Sequence, residues 1–144
     1  MATGSGGTQG GLIVGRALYD IRAEIMAFNV CDDAAYFENK IRQDLQKWES
    51  RYGLDLDTEK LRINTVEGYV GPGYGEADPE VFQTIGELAR LEGLFLDPVY
   101  TGKAFHGMVN ELNRARRGEP SRLPEAGTVV FIHTGGLFGV FPQK

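Results

Sequence analysis

Between positions 8 and 19 the apolar residues Leu12, Ile13, Leu18 and Tyr19 recur at helical spacing, with glycines at 10, 11 and 15 permitting close backbone packing. The pattern predicts a helix opened by a glycine-rich loop. Residues 23–30, AEIMAFNV, form a short and mostly apolar run of the kind that becomes a buried parallel strand. Asp32 and Asp33 then stand where an N-cap and a first turn favour acids, and Tyr36, Phe37, Ile41, Leu45 and Trp48 mark a long amphipathic helix over 34–52, ended near Gly53. A second strand is predicted at 61–66, and Val70-Gly71-Pro72-Gly73-Tyr74-Gly75 is an ordered turn. Asp78-Pro79 opens a helix that runs to about Glu92, with Gly93 as its stop. Residues 95–98 make a short extended piece. Positions 100–117 form another helix, with Phe105, Met108, Val109 and Leu112 on one face and Arg114, Arg116 and Arg117 at its C-terminal end, where they suit the macrodipole. After a polar linker at 118–127, residues 128–132 (TVVFI) carry the strongest strand pattern of the chain and run into His133-Thr134-Gly135-Gly136.

Strands alternating with helices define an α/β fold with a parallel sheet, in which ligands gather at the carboxyl ends of the strands. Three loops have that position: 4–8, 71–75 and 133–136. The 144 residues, 42% hydrophobic and 24% charged, fit one domain spanning 1–144. A net charge of -5 argues against nucleic acid as a partner. No run is apolar enough to span a bilayer, and the start lacks the order of a secretory signal, so a cytoplasmic protein without membrane partners is expected. Cys31 is the single cysteine, which excludes an internal disulfide; beside the apolar run before it, it reads as a small packed residue.

The loop Gly4-Ser5-Gly6-Gly7-Thr8 opens a helix, so its backbone N–H groups and the Ser5 and Thr8 hydroxyls can face an anion, phosphate being the natural guest. A plain tight turn is the alternative. The dinucleotide fingerprint fails because position 9 is Gln, and the phosphate-loop lysine motif is absent. Tyr74 and Tyr100 stand at loop edges where a phenol can donate a proton or wall a cleft, although each could equally be a core residue with one wet end. His106 and His133 are far apart and have no carboxylate at ligand spacing, so no metal site is expected. Lys103, on a helix, reads as solvated.

Taken together, ATGSGGTQGGL, GPGYG, LEGLFLDPVYTGKAFHGMVNEL and VVFIHTGG resemble the pyridoxal-phosphate (PLP) enzymes of the tryptophan-synthase-β fold. Within them the resemblance is to the group holding D-cysteine desulfhydrase and 1-aminocyclopropane-1-carboxylate (ACC) deaminase. It spans the whole chain and is weak over 21–66. It implies a three-layer α/β large domain with a mostly parallel sheet, incomplete at its N-terminus. Gly4, Ser5, Gly6, Gly7 and Thr8 would cradle the cofactor phosphate, Tyr74 and Tyr100 would be catalytic, Thr101 would meet the pyridine nitrogen, and Thr134 and Gly135 would line the substrate pocket. ACC deaminase carries Glu at the place of Thr101 and Leu at that of Thr134, whereas the D-cysteine enzymes carry hydroxyl residues at both. The resemblance therefore implies α,β-elimination of D-cysteine to pyruvate, ammonia and sulfide, with ACC deamination as the alternative. A neutral group at the ring nitrogen leaves a weaker electron sink, which suffices where thiolate leaves from the neighbouring carbon.

The family's Schiff-base lysine lies upstream of the phosphate loop, in a segment this chain does not contain, and ENKIRQDL at 38–45 only superficially echoes its setting. The chain is therefore expected to be the C-terminal portion of an enzyme, inactive alone, needing the missing N-terminal segment or an intact homologue, and a homodimer when complete. Its partner is a small amino-acid substrate. After Gly136 the sequence LFGVFP departs from the family. Two other classes compete: a non-catalytic module that docks on an intact homologue through apolar surface, and a small phosphate- or nucleotide-binding protein.

Overall fold

Three short parallel strands, β1 (Ala2–Thr3), β2 (Met26–Asn29) and β3 (Asn64–Val66), lie in the order β1-β2-β3. The computed structural model describes residues 1–53, 56–125 and 127–141. Ala126 in the expected linker and Pro142 in the divergent ending lie outside them. Parallel strands need crossovers, and helices supply them: α1 (Gly7–Leu18) joins β1 to β2, and α2 (Ala34–Tyr52) joins β2 to β3. After β3 come α3 (Pro79–Glu92) and α4 (Thr101–Arg116).

Register explains the layering. Ala2 lies opposite Phe28 and Phe28 opposite Val66, so one row of side chains crosses the sheet and meets Ala104 of α4 in a buried cluster. On the other side Ile13 and Val14 of α1 join Phe37, Ile41 and Leu45 of α2, with Ile25 and Ile63 packed against them. The fully buried Phe28, Val66, Ile13, Phe37, Ile41 and Leu45 each contribute about 1.5–3 kcal/mol of transfer free energy. The sheet thus lies between helices, the three-layer α/β arrangement expected.

Local signals place the elements. Asp33 caps α2 by accepting from the Tyr36 amide at 2.7 Å, and Gly53 ends it in the left-handed region. Pro79 opens α3, and Gly93, at φ +66, ends it. α4 can approach β2 because position 107 is glycine: a Cβ there would lie 2.7 Å from Phe28 Cδ1 and 2.9 Å from Tyr69 Cγ. Gln9 is wholly buried, and its Nε2 donates to the Asn64 carbonyl at 3.1 Å and to Thr65 Oγ1 at 3.2 Å. The third glycine of the dinucleotide fingerprint is thus replaced by a side chain that ties α1 to β3.

One element differs from expectation. Residues 128–132 belong to no strand. A strand persists where its N–H and C=O groups find a neighbouring ladder, and propensity alone does not supply one. Val130 is 77% exposed; Phe131 alone turns inward, edge-on to Phe105 with ring centroids 5.1 Å apart. The strands at 23–30 and 61–66 are also shorter than their apolar runs, confined to the residues that pair. Among the described residues no helix is long and apolar enough to cross a membrane.

Candidate active site

At the carboxyl end of β1 the chain turns through Gly4, Ser5 and Gly6 into α1. Gly6 sits at φ +80, a conformation costly for a residue with a side chain, and a Cβ there would lie 2.9 Å from Ile41 Cγ1. A Cβ on Gly4 would lie 3.0 Å from the Tyr100 ring. Only glycine fits both places. The helix has no side-chain cap at its N-terminus and no acidic residue in its first turn. Its first amides therefore remain available as donors, at the positive end of the helix macrodipole, beside the Ser5 and Thr8 hydroxyls.

Opposite this loop stands a second wall. Tyr74, on the glycine turn after β3, and Tyr100, at the start of α4, are hydrogen-bonded through their phenol oxygens, with rings near perpendicular and centroids 5.9 Å apart. The bond with Tyr74, then burial and the nearby Asp97 and Cys31, push the Tyr100 phenol up to about 12, so its proton stays on Oη at neutral pH. Thr134, Gly135 and Gly136 close a third side. The loop, both tyrosines and this turn line one cavity of about 470 Å³, within the range of small-molecule sites. Gly4, Ser5, Thr8, Tyr74, Tyr100, Thr134 and Gly135 meet there; Gly6 and Gly7 shape the loop instead and line a groove between α1 and α2.

Thr101 is placed differently. It is fully buried and absent from the cavity lining, and its hydroxyl donates to Asp97 Oδ1 at 2.7 Å while accepting from the Asp97 amide at 3.1 Å. One lone pair of that oxygen remains, so Thr101 can accept a further hydrogen bond but has no second proton to give.

Sequence reading missed Asp97. Its carboxylate accepts from the amides of Val99, Tyr100 and Thr101 as well as the Thr101 hydroxyl, all at 2.7–2.9 Å, and so fixes the start of α4. A Cβ on Gly136, at φ +90, would lie 2.6 Å from the same carboxylate, so Asp97 also seats the 133–136 turn. An acid before Pro98 and just ahead of a helix was the available signal.

Lys103 corrects another expectation. It is not solvated: it is fully buried, and Nζ donates to the carbonyls of Val70 at 2.6 Å and Gly73 at 2.7 Å. A helical position says nothing about which face the turn at 70–75 will cover. Cys31 is half-buried, its thiol 3.7 Å from the Gly4 carbonyl; burial and then Asp32 push it up to about 11, which keeps it protonated and unreactive. The histidines serve structure. His106 bonds Thr84 and Asn110; His133 bonds the Phe95 carbonyl and the Gly135 amide.

An uncapped helix start facing paired phenols at the sheet's carboxyl edge suits a small anionic ligand. The sequence model of the family described as pyridoxal-phosphate dependent enzyme matches residues 1–135, and the chain belongs to that family. It is 37% identical over 147 residues to a D-cysteine desulfhydrase of Yersinia pestis, covering 99% of this chain and 42% of that one. To the mitochondrial bifunctional D-cysteine desulfhydrase/1-aminocyclopropane-1-carboxylate deaminase of Arabidopsis thaliana it is 35% identical over 143 residues, covering 99% and 33%. A solved ACC deaminase homologue superposes with TM-score 0.69 at 32% identity, over 82% of this chain and 34% of that chain. The chain thus spans well under half the length of the curated relatives it matches. The cofactor of the family is pyridoxal phosphate, and an uncapped helix N-terminus behind a loop that tolerates no side chain at Gly6 is chemically suited to its phosphate.

Proposed function

We propose that the protein carrying this chain is a PLP-dependent lyase of the D-cysteine desulfhydrase type, and that this chain supplies the phosphate cup and the phenolic wall. The convergence of loop, tyrosine pair and 134–136 turn on one cavity supports this most directly. The reaction takes D-cysteine and water to pyruvate, ammonia and hydrogen sulfide. When bound, pyridoxal phosphate supplies an electron sink for the carbanion left at the substrate's α-carbon.

The chain's own residues have the remaining roles. The loop Gly4-Ser5-Gly6-Gly7-Thr8 holds the phosphate: Gly4, Ser5 and Thr8 border the cavity, and Gly6 and Gly7 set the turn that presents the helix amides to it. Tyr74 and Tyr100 are hydrogen-bonded through their phenol oxygens, and the pair can deliver a proton to the departing sulfur or return one to carbon. Thr134 and Gly135 border the substrate. Thr101, at the position the family uses for the partner of the ring nitrogen, is neutral and lies just behind the cavity lining; its hydroxyl proton is held by Asp97 and would have to leave that carboxylate to reach an unprotonated nitrogen. That arrangement adds no negative charge at the ring and favours elimination of a thiolate over opening of a cyclopropane. None of the lysines described lines the cavity, which supports the view that no lysine here bonds the cofactor.

Assay of the PLP-loaded protein with D-cysteine and with ACC, reading sulfide and 2-oxoacid, tests the assignment. Sulfide release is the expected result, reduced roughly 10²–10⁴-fold by Tyr74→Phe or Tyr100→Phe. Turnover of ACC with none of D-cysteine would overturn it. Borohydride treatment of this chain with PLP, followed by peptide mapping, is expected to label no lysine in preference to the exposed Lys47 and Lys60.

A further inference from the structure

We propose that Lys103 is a positioning residue: from beneath the 70–75 turn it holds Tyr74 against Tyr100 and so sets the geometry of the phenol pair. The proposal rests on the functional reading only for the use to which that pair is put.

The geometry is specific. Lys103 lies one helical turn beyond Tyr100 on α4, so both ends of the phenol contact are governed by the same stretch of helix. Tyr100 meets the Tyr74 ring and hydroxyl, while Lys103 reaches the backbone carbonyls of Val70 and Gly73, the latter adjacent to Tyr74. Just ahead of the turn the Tyr69 hydroxyl donates to Glu111 of α4 at 2.7 Å; among the described residues of the turn itself, the hydrogen bonds to α4 and its start are those of Lys103 and Tyr100. Within the turn, Glu76 N–H to the Gly73 carbonyl at 3.3 Å is a long contact, and Gly71, at φ +70, packs on Asp78. Tyr74 itself is 60% exposed, and its ring and hydroxyl meet Tyr100. Burying an ammonium is costly, and among the described residues it forms no salt bridge. A methionine would fill the same space at lower cost if packing were the only requirement. Two charge-assisted bonds to one turn are what the lysine adds.

The test uses Lys103→Met in this chain, with phenolate absorbance followed against pH and the Tyr100 contribution isolated by subtracting Tyr100→Phe. Asp97, Cys31, Asp78 and Glu76, the ionisable groups around the lysine and the phenols, are unchanged in the variant. Lys103→Met is expected to free Tyr74, so that Tyr100 ionises nearer the ordinary tyrosine value of about 10, while affinity for inorganic phosphate changes less than about two-fold. An unchanged Tyr100 titration overturns the proposal. If the variant does not fold, reductive methylation of the native wild-type chain decides: Lys103 untouched while Lys40, Lys47 and Lys60 react supports the grip, and reaction at their rate overturns it. Failure of the chain to bind PLP would count against the functional reading, and the phenol titration would still report on Lys103.

Discussion

At the scale of single residues, the candidate site depends on atoms that are absent as much as on those present. Gly6 combines a left-handed backbone with a neighbour, Ile41, where a Cβ would sit. Gly6→Ala is expected to cost about 1–3 kcal/mol in urea-induced unfolding and to weaken phosphate binding, because the loop must move to accept the methyl group. His106 gives a pH signature. Burial lowers its pKa, only partly opposed by Glu80 and Asp78, so the unfolded chain takes up a proton at a higher pH than the folded one. Stability contributed by the neutral ring is therefore present at and above the unfolded value near 6.5, and is lost as pH falls below it toward the folded value. Urea midpoints at pH 7.5 and 5.5 should differ less in His106→Gln than in the wild type.

Glycines within helices divide by what surrounds them. Gly107→Ala gains about 1 kcal/mol of helix propensity but drives a methyl group into Phe28 and Tyr69, an overpacking worth about 1–3 kcal/mol, so a lower melting temperature is expected. Gly15→Ala in α1 meets nothing within 4 Å and should raise it. The same distinction between local and distant causes explains what could be read from the chain. The boundaries of α2 and α3 were legible because Asp33, Gly53, Pro79 and Gly93 act on their own neighbours. The glycine turn at 4–8 that opens α1 was legible for the same reason. Residues 128–132 were misread because their fate depends on a pairing partner, and Lys103 because its burial depends on a turn some 30 residues earlier in sequence. Asp97 lay between these cases: its capping position was visible locally, its contact with Gly136 was not.

Across the whole molecule, the cavity is assembled from four segments far apart in sequence, and the sheet is what brings them together. β1 delivers the loop, the turn after β3 Tyr74, the start of α4 Tyr100, and the segment after residue 132 the far border. The buried amide of Gln9 joins the first of these to the sheet, fastening the start of α1 to β3. Seen as thermodynamics, that fastening means the conformational entropy of the phosphate cup is spent during folding and not during loading. Titration calorimetry with inorganic phosphate should accordingly show a heat-capacity change near zero, as for a ligand entering a finished site. In Gln9→Ala the same titration should reveal weaker binding with a more unfavourable entropy, because the guest would then have to order its own host.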